Sequence, residues 1–127
     1  MSKINRRKAL CKHDWPKIQK LLENDLFQEV IDEIDNIDTL TDLWYILDAY
    51  LGLGKIKKAE ELLNFWKYRI SNPMSDSYWI FYEALIKMKK NQLGKAKIDL
   101  KKAIEIAIKE KDEKLRKRIQ LFLKDLN

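Results

Sequence analysis

The residues of this chain that could do chemistry are few, and their spacing limits what they can do. Cys11 and His13 form a Cys-x-His pair, two of the side-chain types that hold zinc. A closed zinc site takes four ligands, and the chain has no second Cys or His to complete one, so no metal is expected. His13 beside Asp14 has the makings of an acid–base pair. A helix start accounts for Asp14 more simply, because Pro16 follows in what would be the first turn, where its missing N–H has no intrahelical partner to lose. The acids from Glu29 to Asp38 follow the polar side of an amphipathic helix and lack the glycine turn of a calcium loop. Gly52 and Gly54 do not belong to a phosphate loop, since no Gly-Lys-Ser/Thr ending follows them. No nucleophile, base and oxyanion donor come together in this pattern. The expectation is a non-enzymatic protein with no catalytic residues and no cofactor.

Charge is the stronger signal. The net charge of +6 over 127 residues is unevenly spread. Residues 1–13 hold five basic groups and no acid, residues 14–40 hold two Lys against eight acids, and residues 87–127 hold fourteen basic groups against six acids. Segregation of this kind serves docking between a protein's own ends or recognition of an anionic partner. Lys predominates over Arg in the basic third, acids are interspersed, and no nucleic-acid readout motif is present.

The elements that must position these groups are helices. Three Gly and two Pro in a chain dominated by Lys, Leu, Ile, Glu and Asp make an all-α composition. No apolar run approaches the roughly 18 residues needed to span a bilayer, and the start of the chain lacks a signal peptide's apolar stretch. With a single Cys that excludes an internal disulfide, the expected compartment is the cytoplasm. The basic residues 1–13 read as an N-terminal arm, and residues 14–127 as a single helical domain. Ile18, Leu21 and Leu22, then Val30, Ile34 and Ile37 after a break at Asn24-Asp25, make a first hairpin. Thr39 to Asp42 caps a helix with Leu43, Ile46, Leu47, Tyr50 and Leu51 on one face, stopped by Gly52 and Gly54. Its partner carries Ile56, Ala59, Leu62, Leu63, Trp66 and Ile70. After the Ser71-Asn72-Pro73 break, Ser75 or Asp76 caps a helix that is apolar on more than one side, with Trp79, Tyr82, Leu85 and Ile86 opposite Phe81, Ala84 and Met88. Such a helix belongs between neighbours. Leu93, Ala96, Leu100, Ala103, Ile104 and Ala107 mark the next helix. Asp112 caps a last one, with Leu115, Ile119, Phe122 and Leu126 on its inner face.

Ala49, Tyr50, Leu53, Gly54 and Ala59 stand in the order and spacing of the tetratricopeptide motif. Ala84, Asn91, Ala96 and Ala103 resemble the same small and turn positions one unit later, with Asn91 in place of Gly at a residue of positive φ. The chain therefore resembles tetratricopeptide repeat proteins over about residues 40–110. The first hairpin departs from the pattern, lacking its small residues, and reads as a degenerate repeat or a cap. The resemblance implies a short right-handed α-α superhelix of about three hairpins plus a C-terminal capping helix. It also implies a partner groove lined by Thr41, Trp44, Asp48 and Leu51 from one unit and Tyr78, Phe81, Leu85, Met88 and Lys89 from the next. Trp44, Asp48, Leu51, Tyr78, Phe81, Met88 and Lys89 are the partner-binding candidates. The family's Lys, Asn and Arg carboxylate clamp does not map onto these positions, so recognition of an acidic C-terminus is not expected. The alternative at this groove is that the last helix or the N-terminal arm fills it.

The leading functional expectation is a protein-interaction module, an adaptor, chaperone or inhibitor holding a protein or peptide partner. Two alternatives stand beside it: a nucleic-acid-binding protein using the basic C-terminal third, or a small subunit of a nucleoprotein complex; and a structural homo-oligomer. No membrane partner is expected.

Overall fold

A computed structural model describes residues 13–69 and 76–126, and every structural statement here concerns those residues. Cys11, the arm up to residue 12 and the Ser71-Asn72-Pro73 break lie outside them. The described chain is all-helical, with helices α1 (Trp15–Glu23), α2 (Phe27–Glu33), α3 (Leu40–Gly52), α4 (Ile56–Lys67), α5 (Ser77–Lys89), α6 (Leu93–Lys109) and α7 (Glu113–Leu126). No described helix is long and apolar enough to cross a membrane. The chain divides into two compact units, residues 1–55 and 56–127.

The helix starts follow the residues expected to cap them. Asp14 accepts from the Lys17 N–H, Asp76 from those of Tyr78 and Trp79, and Asp112 from that of Leu115. Thr39 and Asp42 form a reciprocal capping box at α3, which satisfies N–H groups that have no carbonyl partner inside the helix.

The helix ends share one device. At Asp25, Gly54, Asn91 and Lys111 the backbone turns to positive φ, between 57° and 74°. At each, the positive-φ residue and the one after it donate back to the preceding helix: Gly54 to Leu51 O and Lys55 to Tyr50 O, Asn91 to Met88 O and Gln92 to Lys87 O, Lys111 to Ile108 O and Asp112 to Ala107 O, Asp25 to Leu22 O and Leu26 to Leu21 O. This is the Schellman pattern, which closes the last carbonyls and reverses the chain in a few residues. Glycine suits it best, yet only one of the four has it. Asn91 takes the positive φ expected of it. Gly52 is the last residue of α3 and has a different task. A Cβ there would lie 2.5 Å from Phe27 ring carbons, so its bare Cα is what lets the ring close on the helix.

In the first unit α1, α2 and α3 pack on one another. Ile18, Val30, Leu43, Leu47 and Ala49 are fully buried. The first-hairpin stripe is cut short: α2 ends at Glu33, leaving Ile34 buried just past the helix and Ile37 half-buried beyond it. Short polar side chains compete for the backbone there. Asn36 donates to Asp38 at 2.9 Å, and the Asp38 N–H goes to Asp42.

In the second unit α5 packs against α4 and α6, and α6 against α7. Phe81 and Tyr82 of α5 also meet Phe122 and Arg118 of α7. Eight of the thirteen α5 residues are buried, which is the enclosed helix its two apolar faces require. Ala59, Ala84, Ala96, Ala103 and Ala107 have no exposed surface, and small side chains at crossings let helix axes approach closely.

Candidate interaction surfaces

Two polar networks and two outer faces hold what functional groups the described chain has. The first network fixes the entry to the first unit. The side chain of His13 is 6% exposed and that of Asp42 1%. His13 Nδ1 lies 3.1 Å from Asp42 Oδ1, and Nε2 lies 3.1 Å from Asp35 Oδ1. Trp15 Nε1 donates to the same Asp42 oxygen at 3.1 Å. The backbone N–H groups of Asp38 and Thr39 donate to the other oxygen at 3.1 and 3.2 Å. Burial pushes the Asp42 carboxyl up, but the Trp15 and backbone donors and the charge on His13 outweigh it, and the net shift is downward. His13 thus bridges two carboxylates, one at each ring nitrogen.

His13, Asp38 and Asp42 bring ligand atoms within 4.8 Å of one another. Both Asp42 oxygens already accept protein donors, however, and a divalent cation there would have to displace them. The arrangement is that of a cap and an ion pair. His13 and Asp14, adjacent in sequence, act apart: Asp14 caps α1, while His13 reaches Asp35 and Asp42.

The second network lies in the second unit. Tyr78 is half-buried, and its hydroxyl, desolvated and hydrogen-bonded to Asp112, is pushed up to about 12. Ser77 Oγ donates to Glu110 at 2.6 Å. Burial and the nearby Glu110 charge raise the Asp76 carboxyl against the N–H groups it caps. Arg118 donates to the Tyr82 hydroxyl at 3.3 Å and lies over the Phe81 ring, 4.8 Å from its centroid.

The candidate partner-binding residues fall into both units. In the first, Trp44 and Leu51 are buried and Asp48 is half-buried. In the second, Tyr78 and Met88 are half-buried and Lys89 is exposed. Phe81 is 0% exposed, edge-on to Phe122 at 5.7 Å between centroids. At this position α7 covers the α5 face, so no partner reaches Phe81 without displacing that helix. Leu85, also expected on the groove, is buried.

Between α4 and α5 runs a polar cleft of about 170 Å³ lined by Glu60, Asn64, Lys67, Glu83 and Lys87 with Leu63 and Ile86 beneath. Ion pairs bridge it, Lys67 to Glu83 at 3.0 Å and Lys90 to Glu60 at 2.5 Å.

The outer faces of α6 and α7 hold residues that the core stripes passed over. Ile98 is 68% exposed, Ile108 56% and Leu121 66%. All three sit among lysines, out of phase with the buried stripes of their helices, and that phase is the signal in the sequence that would have found them.

These elements define an all-helical protein with capped, tightly turned helices, a covered aromatic core in its second unit and charged outer faces. No family model, curated protein or solved structure matches the chain.

Proposed function

We propose that this protein is a non-enzymatic interaction module, built on tetratricopeptide-like hairpins, that holds a protein or peptide partner. The observation that carries this reading is the enclosure of α5. It is held by α4, α6 and α7 with Ala84, Ala96 and Ala103 fully buried, as a helix in a stack of hairpins must be. Stacks of this kind work through the surface they present. The positive-φ turns at Gly54 and Asn91, 37 residues apart as Ala59 and Ala96 are, support the same repeat, three residues longer than the usual ~34.

On this reading α7 is the cap, and the part of α5 left for a partner is its C-terminal end, where Met88 is half-buried and Lys89 exposed. Phe81 belongs to the core. The test is affinity capture from the native host followed by mass spectrometry, using the wild-type chain and the double variant M88A/K89E. The expected result is a reproducible protein partner that the variant loses at an unchanged melting temperature. Equal capture by both chains would refute the site, and the absence of any enriched protein would refute the function.

A further inference from the structure

We propose that copies of this protein associate through two different surfaces, the lysine rows of α6 and α7 in one copy docking on the acidic α1–α2 hairpin of another. On α6 the residues Ile98, Lys101, Lys102, Glu105, Ile108 and Lys109 fall at i, i+3, i+4, i+7, i+10 and i+11 and are all exposed, so they share one face of the helix. On α7 the stripe Lys114, Lys117, Leu121 and Lys124 does the same. Lys87 and Lys90 are neutralised by Asp99 and Glu60. Among the described residues, Lys101, Lys102, Lys109, Lys114, Lys117 and Lys124 have no carboxylate at ion-pair distance.

The counterpart is carried by the same chain. Glu23 at the end of α1, Asp25 in the α1–α2 turn and Glu29 and Asp32 on α2 are exposed and have no cationic partner among the described residues, whereas Glu33 is held by Lys17 and Asp35 by His13. Leu26, 42% exposed, lies at the tip of this hairpin. The lysine-rich surface thus has Ile98, Ile108 and Leu121, and the acidic hairpin Leu26, set among charges of one dominant sign, and the two signs are opposite. Interfaces are built this way, with apolar groups excluded from water inside a polar rim.

A nucleic acid answers the lysines but not Ile98, Ile108 and Leu121, because a phosphate backbone offers no apolar surface in return. Two different surfaces meeting make a heterologous contact, which propagates into open chains unless the rotation closes a ring. Contacts led by exposed charge are screened by salt, so the association should be weak and ionic-strength dependent.

The experiment is sedimentation velocity on the full chain over a range of concentrations, at low salt and again at high salt, with the charge-swapped variants E29K/D32K and K117E/K124E. The wild-type mean mass should rise with concentration at low salt and fall back to that of one chain at high salt. Each variant alone should stay single. Their equimolar mixture should associate again, which also shows that both variants are folded. The proposal is overturned if the wild type stays single at every concentration, if either swap leaves the mass unchanged, or if the mixture fails to recover. It is equally overturned if K117E/K124E abolishes binding to single-stranded RNA while self-association persists. The variant M88A/K89E should associate like the wild type, so this inference and the partner site on α5 fail independently.

Discussion

Replacing Asp42 by Ala should cost the first unit more than any other single polar change. The carboxylate has two oxygens and takes four approaches within 3.2 Å: Trp15 Nε1 and His13 Nδ1 on one, the Asp38 and Thr39 N–H groups on the other. Its removal ends the capping box at α3, worth about 1 kcal/mol. It also strands the Trp15, Asp38 and Thr39 donors and the His13 ring nitrogen at roughly 1–3 kcal/mol each, though not additively. A net loss of about 3–5 kcal/mol follows. With a urea dependence near ~2 kcal/mol per M, the midpoint should fall by roughly 2 M, read by far-UV circular dichroism. The gap between wild type and D42A should also depend on pH. The folded-state carboxyl of Asp42 lies below its ordinary value, so its contribution is present above the ordinary carboxylate range and is lost as pH falls through the folded value. The gap should therefore close on acidification below about pH 4. Asp76, whose carboxyl is raised, has the opposite sign: its contribution is fullest below the ordinary range and is lost as pH rises through its folded value. A D42A loss under about 1 kcal/mol, or a gap that widens in acid, would refute the network as drawn.

Other outcomes follow from the same structure. Phe122→Ala removes the ring that covers Phe81 and should lower stability by about 2–4 kcal/mol in urea unfolding, less than a fully buried Phe because Phe122 is half-buried. Lys111→Gly relieves a side chain held at φ 60° and should raise the melting temperature, the gain being up to about 1 kcal/mol after the entropy glycine adds to the unfolded chain. In an alkaline absorbance titration, Tyr78→Phe should delete the step near pH 12.

The helices and their stops were legible in the sequence because the signals are local. Thr39 with Asp42, Asp76, Asp112 and the positive-φ Asn91 each act within a few residues of themselves. Burial on both sides of α5 was legible from its two apolar faces. What closes over Phe81 was not, because the contact with Phe122 joins residues 41 apart and no local pattern records it; the sequence left an open groove and a self-filled one side by side. Asp42 was read as part of a cap, and its meeting with His13 and Trp15 was invisible for the same reason. Gly52 passed as a helix stop, since only the approach of Phe27 reveals why a side chain is excluded. Lys111 adopts the same positive φ as Gly54 without a residue type that announces it; hydrogen bonds to the preceding helix hold it there.

Site-specific photo-crosslinking in the native host tests the central proposal, a protein partner held at the end of α5. A photoreactive phenylalanine analogue would replace Lys89, and in a second chain the exposed Lys57 of α4. The account predicts a discrete protein adduct at position 89, resistant to nuclease and absent at position 57. No protein adduct at position 89, or one that nuclease removes, would contradict it.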